Sequence, residues 1–223
     1  MIKQNDKIMK VAISQPEHFP YLGYFEKMAV CDIFVILDNV QFSGPRSWQN
    51  RNRFINKSGE WQWFTVPVAK NSYFEKINDV KVAPDLGWRN KLIKTLSLNF
   101  PGNPKFDYEK IYNSGKLVDI NMESINLCRN ILEINTPMIK SSEIPVIGIK
   151  AELIYNICKY LKADIYISGQ GAKDYLKDAK FKDIEIKFIE PKVKTLESTI
   201  VLISNDDKLK EAKEIIKKLR NNE

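Results

Sequence analysis

The chain has 223 residues, 43% of them hydrophobic and 11% aromatic, and a net charge of +7. That is enough for one domain with a real core, and it excludes a disordered or disulfide-stapled polypeptide. No run approaches the ~18 apolar residues of a membrane helix, so no membrane insertion is expected. One histidine and three dispersed cysteines exclude a zinc or iron site of soft ligands.

The opening is the clearest part of the pattern. "KVAIS" (10–14) reads as a buried strand, "QPEHFP" as a proline-bracketed turn, "YLGYFEKMAVC" (21–31) as a helix and "IFVILD" (33–38) as a second strand. A strand–helix–strand unit with a short crossover predicts a parallel sheet. The run 39–59, "NVQFSGPRSWQNRNRFINKSG", carries four basic residues and no acid. "WQWFTVPV" (61–68) alternates like a strand, with "INDVKVAP" (77–84) as its expected partner. Helices are predicted over 87–100, 106–115 and 117–135, and 87–135 is read as a helical insertion or lobe. "PMIKSS" (137–142) is extended. "IKAELIYNICKYLKA" (149–163) is amphipathic and runs into the strand "DIYISG" (164–169). "IEIKFIEP" (184–191) and "STIVLIS" (198–204) are read as strands, and 205–222 as a charged surface helix with an Asn or Asp cap.

The expected architecture is a single α/β domain over 1–223 with a mostly parallel, Rossmann-like sheet. In such sheets the ligand lies outside the carboxyl ends of the strands. That rule brings the loops after Ser14, Asp38 and Ser168 together. Cys31, Cys128 and Cys158 sit among apolar neighbours and are expected to be buried, unpaired and reduced, as in a cytoplasmic protein. "MIKQNDKIMKVAI" lacks the apolar stretch of a secretory leader.

"ISQPEHFPYLGYFEKMAVCDIFVILDNVQFSGPRSWQNRNRF", then "WFTVPV" and "LIYNICKYLKADIYISGQGAKDYL", closely resemble the WbqC-like proteins, over most of residues 10–190. The resemblance implies a protein of surface-polysaccharide and O-antigen gene clusters that attaches glycine, or another acyl group, to an amino sugar. It points to Gln15, Pro16, Gly23, Asp38, Gln41, Trp48, Gln49, Asn50, Arg51, Asn52 and Arg53, with Ser168 and Gly169 in the later loop. Beyond about Glu190 the likeness fades, and no site residue is carried over there. A more distant likeness is to the HIGH-motif nucleotidyltransferases, whose helix opens on two histidines that steady phosphates. Tyr21 and Tyr24 stand at those places here, and a phenol carries no positive charge at neutral pH.

Several residues are candidates on their own chemistry. His18, in the proline-bracketed turn, is either a general base for a sugar amine or a polar turn residue. Asp38 could orient a ribose, bind magnesium, act as base or cap the next turn. Gln15 follows the first strand directly and suits substrate contact. Arg51 and Arg53 alternate with Asn50 and Asn52, so in an extended segment both guanidinium groups share one face, where they can bind phosphate in parallel hydrogen bonds. Trp48 offers a stacking plane. Asn50 could read hydroxyls or hold an oxyanion. Gly169, Ser168 and Lys173 lie in a strand-to-helix turn whose N–H groups could face an anion, or which is simply a tight turn.

These readings converge on a transferase that acylates or aminoacylates a nucleotide-linked amino sugar, with no metal or cofactor required. The donor would be an aminoacyl-tRNA, an acyl-CoA or an ATP-derived acyl adenylate. Two alternatives stay open: an ATP-dependent ligase of HIGH type, and a non-catalytic protein that binds RNA or nucleotide sugars.

Overall fold

Alternation in the first two strands sets up a three-layer arrangement. The computed structural model describes residues 8–101, 106–176, 181–193, 195 and 197–221. In strand β1 (Lys10–Ser14), Ala12 faces one side of the sheet while Val11 and Ile13 face the other. In β2 (Ile33–Ile36), Phe34 and Ile36 join Ala12, and Val35 joins Val11 and Ile13. A strand apolar on both faces must be covered on both, so helices cover each face of the sheet.

The sheet has five strands, all parallel, in the order β5-β2-β1-β6-β7. The remaining strands are β5 (Met138–Lys140), β6 (Ile165–Gly169) and β7 (Glu185–Ile189). Taken in chain order, the sheet strands are arranged 3-2-1-4-5, the doubly wound Rossmann-like order, whose switch point lies between β1 and β6. Helix α1 (Leu22–Ala29) crosses from β1 to β2 on one face, and α5 (Lys150–Tyr160) leads into β6 on the other.

Between β2 and β5 the chain inserts a hairpin, β3 (Arg51–Ile55) with β4 (Trp61–Thr65), and then α2 (Trp88–Asn99), α3 (Tyr108–Ile111) and α4 (Leu117–Ile131). Leu92, Leu96, Leu117, Ile120 and Cys128 of these helices belong to the same core as Phe25 and Phe34. After β6 comes the short α6 (Lys173–Leu176), and the chain closes with α7 (Thr199–Ile203) and α8 (Asp206–Asn221) on the α1 side. No described helix is long and apolar enough to cross a membrane.

Two elements differ from the sequence reading. "STIVLIS" forms helix α7, not a strand: the Ser198 hydroxyl accepts the Ile200 N–H as an N-cap, and burial of Ile200, Leu202 and Ile203 overrides their β preference. "WQWFT" pairs antiparallel with β3. Its expected partner 77–84 meets only the end of the expected strand 61–68, where Val82 bridges Val68 antiparallel. The hairpin is closed by Asn56, which accepts from Ser58 N and Glu60 N, and by Gly59 at φ +80°. Two expected segments run into undescribed positions: residues 102–105 of the 87–135 lobe, and residue 222 of the last helix; residues 194 and 196, between the expected strands 184–191 and 198–204, are also undescribed. The leader reading rests in part on residues 1–7, which are also undescribed.

Candidate functional site

A cleft of about 1200 Å³ opens at the carboxyl ends of β1 and β6, at the switch point of the sheet. Seven of the residues singled out from sequence line it: Gln15, Tyr21, Gly23, Tyr24, Gln41, Ser168 and Gly169. Glu17 and Lys27, which the sequence reading passed over, line it as well. Tyr21, Tyr24 and Lys27 recur at three-residue spacing and so share one face along α1, from its N-cap to its last turn. A lysine recurring on a tyrosine stripe in a mostly apolar helix was the available signal.

The electrostatics concentrate on this floor. Burial pushes the Glu17 carboxyl up to about 7, opposed by the positive charge of Lys27. Burial pulls the Lys27 ammonium down to about 8, opposed by Glu17. Lys27 Nζ donates to the carbonyl of Ile13 (3.1 Å) and to the Ser14 hydroxyl, which anchors it beneath the end of β1. The Tyr24 hydroxyl is buried with no hydrogen-bond partner. Burial, with Glu17 nearby, raises both the Tyr21 and Tyr24 phenols, so they stay neutral donors. An ionisable pair in a cleft, drawn toward neutrality from opposite directions, is a common mark of acid–base chemistry.

The walls come from distant parts of the chain. Pro191 and Ile189 close one side. A Cβ on Gly23 would lie 2.4 Å from Tyr21 Cε2 and 2.9 Å from Pro191 Cγ, so only glycine lets these groups approach. Glu26 fixes that wall by accepting from Lys192 N (2.7 Å) and Val193 N (3.4 Å). At the mouth stand Phe74 and Ile147, 87% and 88% exposed, with Lys76 and Lys150 beside them.

The remaining expected residues lie elsewhere. His18 is fully buried, in edge contact with Phe19, Phe64 and Tyr112, and its Nε2 shares a hydrogen bond with the Tyr112 hydroxyl (3.1 Å). Burial holds the imidazole down at about 3 against a smaller pull from Asn121, so it is neutral and out of reach of a cleft ligand. Its expected role as base is thereby corrected to a core role. Asp38 is also buried. Its carboxylate accepts from Ser141 Oγ (3.0 Å), Ser142 N (2.9 Å) and Ser142 Oγ (2.7 Å), tying the end of β2 to the turn after β5. An acid saturated in this way is a structural anchor. Asn50 is buried too, donating to Val66 O and accepting from Arg46 N, so it offers no donor to a substrate. Lys173 is exposed, with its ammonium 5.6 Å from the centre of the Phe188 ring.

The "WQNRNR" motif divides by parity. Within β3, Asn52 points in and reads backbone, donating to the carbonyls of His18 (3.1 Å) and Phe19 (2.7 Å), while Gln49, ahead of the strand, donates to the side chain of Gln15 at Oε1 (2.7 Å). Phe19 sits at φ 44°, a left-handed conformation that costs a non-glycine residue about 1–3 kcal/mol. Four neighbours hold the turn: Asn52, Ser124, Ser198 and, through the carbonyl of Pro16, Asn121. The arginines point out, onto the face of the hairpin, as their alternation predicts. They do not line the cleft. Among the described residues, no group of three or more His, Cys, Asp or Glu is placed to hold a metal.

A doubly wound parallel sheet with a cleft at its switch point defines a fold of Rossmann-like class. Residues 15–197 match the model of the WbqC-like protein family, and the chain belongs to that family. It is 30% identical over 187 residues to the uncharacterized protein Rv1507c of Mycobacterium tuberculosis (strain H37Rv), covering 80% of each chain. No solved structure matches.

Proposed function

We propose that the chain transfers an acyl or aminoacyl group to the amine of a nucleotide-linked amino sugar held in the cleft, as a cytoplasmic step in making a surface polysaccharide. One observation carries this reading: a carboxyl poised at about 7 stands beside a lysine and a partnerless buried phenol, on the floor of a cleft at the switch point. The mouth fits the other end of such a ligand. A flat, exposed Phe74 suits a nucleobase, and Lys76 and Lys150 suit a diphosphate.

In this reading the amine nitrogen attacks the acyl carbonyl carbon, and the Glu17 carboxylate takes the proton that the nitrogen loses. The Tyr24 hydroxyl and the Lys27 ammonium donate to the oxyanion that forms. As the tetrahedral intermediate collapses, the bond to the donor's leaving group breaks, and that group recovers the proton from Glu17. Gln15 and Ser168 orient the sugar hydroxyls.

The test pairs binding with product analysis. UDP-, dTDP- and GDP-linked amino sugars are titrated calorimetrically, then incubated with glycyl-tRNA, acyl-CoA or ATP plus a carboxylic acid. The expected result is micromolar binding of one sugar and a mass gain equal to the acyl group. Glu17→Gln should bind that sugar within about twofold of wild type and lose at least a hundredfold in turnover, the usual worth of a positioned base. Full turnover by that variant would remove Glu17 from the mechanism, and no mass gain with any donor class would remove acyl transfer.

A further inference from the structure

The outward face of the β3–β4 hairpin carries a second feature, separate from the cleft lining. Register places Arg51 opposite Thr65 and Arg53 opposite Trp63, so both arginines and the indoles of Trp61 and Trp63 share one face. The guanidinium carbon of Arg51 lies 3.8 Å from the centre of the Trp63 ring, and that of Arg53 lies 4.0 Å from the Trp61 ring. Trp48 leans on Trp63 with ring centres 5.7 Å apart and an interplanar angle of 32°. The result is a ladder of three indoles with two guanidinium groups stacked on them. All three indoles are exposed, Trp61 to 46%.

The charges on this ladder have no counterpart in the fold. Among the described residues, no carboxylate forms a salt bridge with Arg51 or Arg53. The Nε atoms of both are buried without a hydrogen-bond partner. The nearby acid, Glu197, spends Oε1 on the backbone N–H of Ile55. An isolated hairpin does not gain from two unneutralised cations and three exposed tryptophans, and a monomeric surface rarely carries such a patch without a use.

We propose that this ladder binds single-stranded nucleic acid. Three features favour that occupant over other anions. Two cations two residues apart on one strand are separated by about 6.8 Å, close to the repeat of an extended sugar–phosphate chain. Indole and guanidinium planes both stack on bases, and such stacking tolerates any base sequence. Each stacked guanidinium carries two terminal nitrogens, Nη1 and Nη2, that can donate two parallel hydrogen bonds to phosphate. A duplex hides its bases and offers nothing to the indoles. The ladder touches the loop that floors the cleft, because Trp48 O accepts from His18 N and Gln49 donates to Gln15. The proposal stands whether or not the cleft acylates a sugar.

The test uses the full chain and a fluorescent 12-nucleotide single-stranded RNA of mixed sequence. Wild type should bind it with an affinity that falls as salt rises, and binding should quench tryptophan fluorescence. The double variant Arg51→Lys, Arg53→Lys keeps both charges but loses the planar forks. Its affinity should fall at least tenfold, while cleft ligands bind as before. Removing the charges with Arg51→Gln, Arg53→Gln should flatten the salt dependence by about two phosphate contacts. Wild-type protein without salt-dependent binding or quenching would overturn the proposal, and this readout needs no variant to fold. Equal affinity for a duplex of the same length would overturn it too, as would binding to anionic lipid vesicles in place of RNA.

Discussion

Glu17 and His18 are adjacent, and burial drives them in opposite directions with different consequences. His18 is held at about 3 against a usual 6.5, so the unfolded chain takes up a proton that the native chain refuses. That linkage lowers stability as pH falls from about 6.5 toward 3. Glu17 keeps its proton up to about 7 against a usual 4.5, so its contribution lowers stability as pH rises from about 4.5 through 7. Glu17→Gln should therefore gain stability relative to wild type between pH 5 and pH 7.5, measured by urea unfolding. The rate predicts itself from the same pair: kcat/KM should climb as Glu17 loses its proton near 7 and decline as Lys27 loses its own near 8. A profile without the lower limb would exclude Glu17 as base. The cysteines behave as their apolar settings predict: all three are buried and free, and burial raises each thiol. Cys→Ser at any of the three should leave turnover intact in folded protein; a lost activity with an unchanged melting curve would count against this. Residue identity alone pointed to His18 over Glu17, because nothing in a one-dimensional string says which of two neighbours in a turn faces inward.

At the scale of elements, the turn 15–20 and the hairpin are one device. Asn52 spans the two, holding Phe19 in its left-handed conformation through two buried carbonyls. Asn52→Ala should cost about 1–3 kcal/mol, because the His18 carbonyl loses the Asn52 donor while Phe19 O keeps only Ser198, and it should weaken cleft binding because Gln15 and Glu17 ride on that turn. A melting curve and a titration on the one variant check both; unchanged values in each would mean the amide is decorative. The alternation of "NRNR" was legible, and it placed the arginines on one face as found. Their destination was not, because period two fixes sides of a strand but not what either side meets. The β-branched run at 199–203 reads as a strand on propensity, yet a serine cap and a waiting apolar surface make it a helix.

For the molecule as a whole, the parallel sheet and the cleft at its carboxyl ends followed from two strong strand–helix signals near each end of the chain. The strand order did not, since pattern says which segments are strands and not which are neighbours. Pairing of β1 with β6 joins residues about 155 apart, as Lys10 meets Ile165. The cleft's far wall then depends on Pro191, fastened by Glu26 to backbone at Lys192 and Val193.

That long-range pairing has a consequence during synthesis. A ribosome that has made β1, α1, β2 and β5 has an unfinished sheet with β1 as an open edge, its N–H and C=O groups unpaired until residue 169 emerges. The nascent chain therefore passes through a long interval in which an apolar strand is exposed to other chains. Slow translation of the stretch between β5 and β6 would lengthen that interval and raise the fraction lost to aggregates. Cells short of holdase chaperones should accordingly yield less of this protein than its equilibrium stability alone implies.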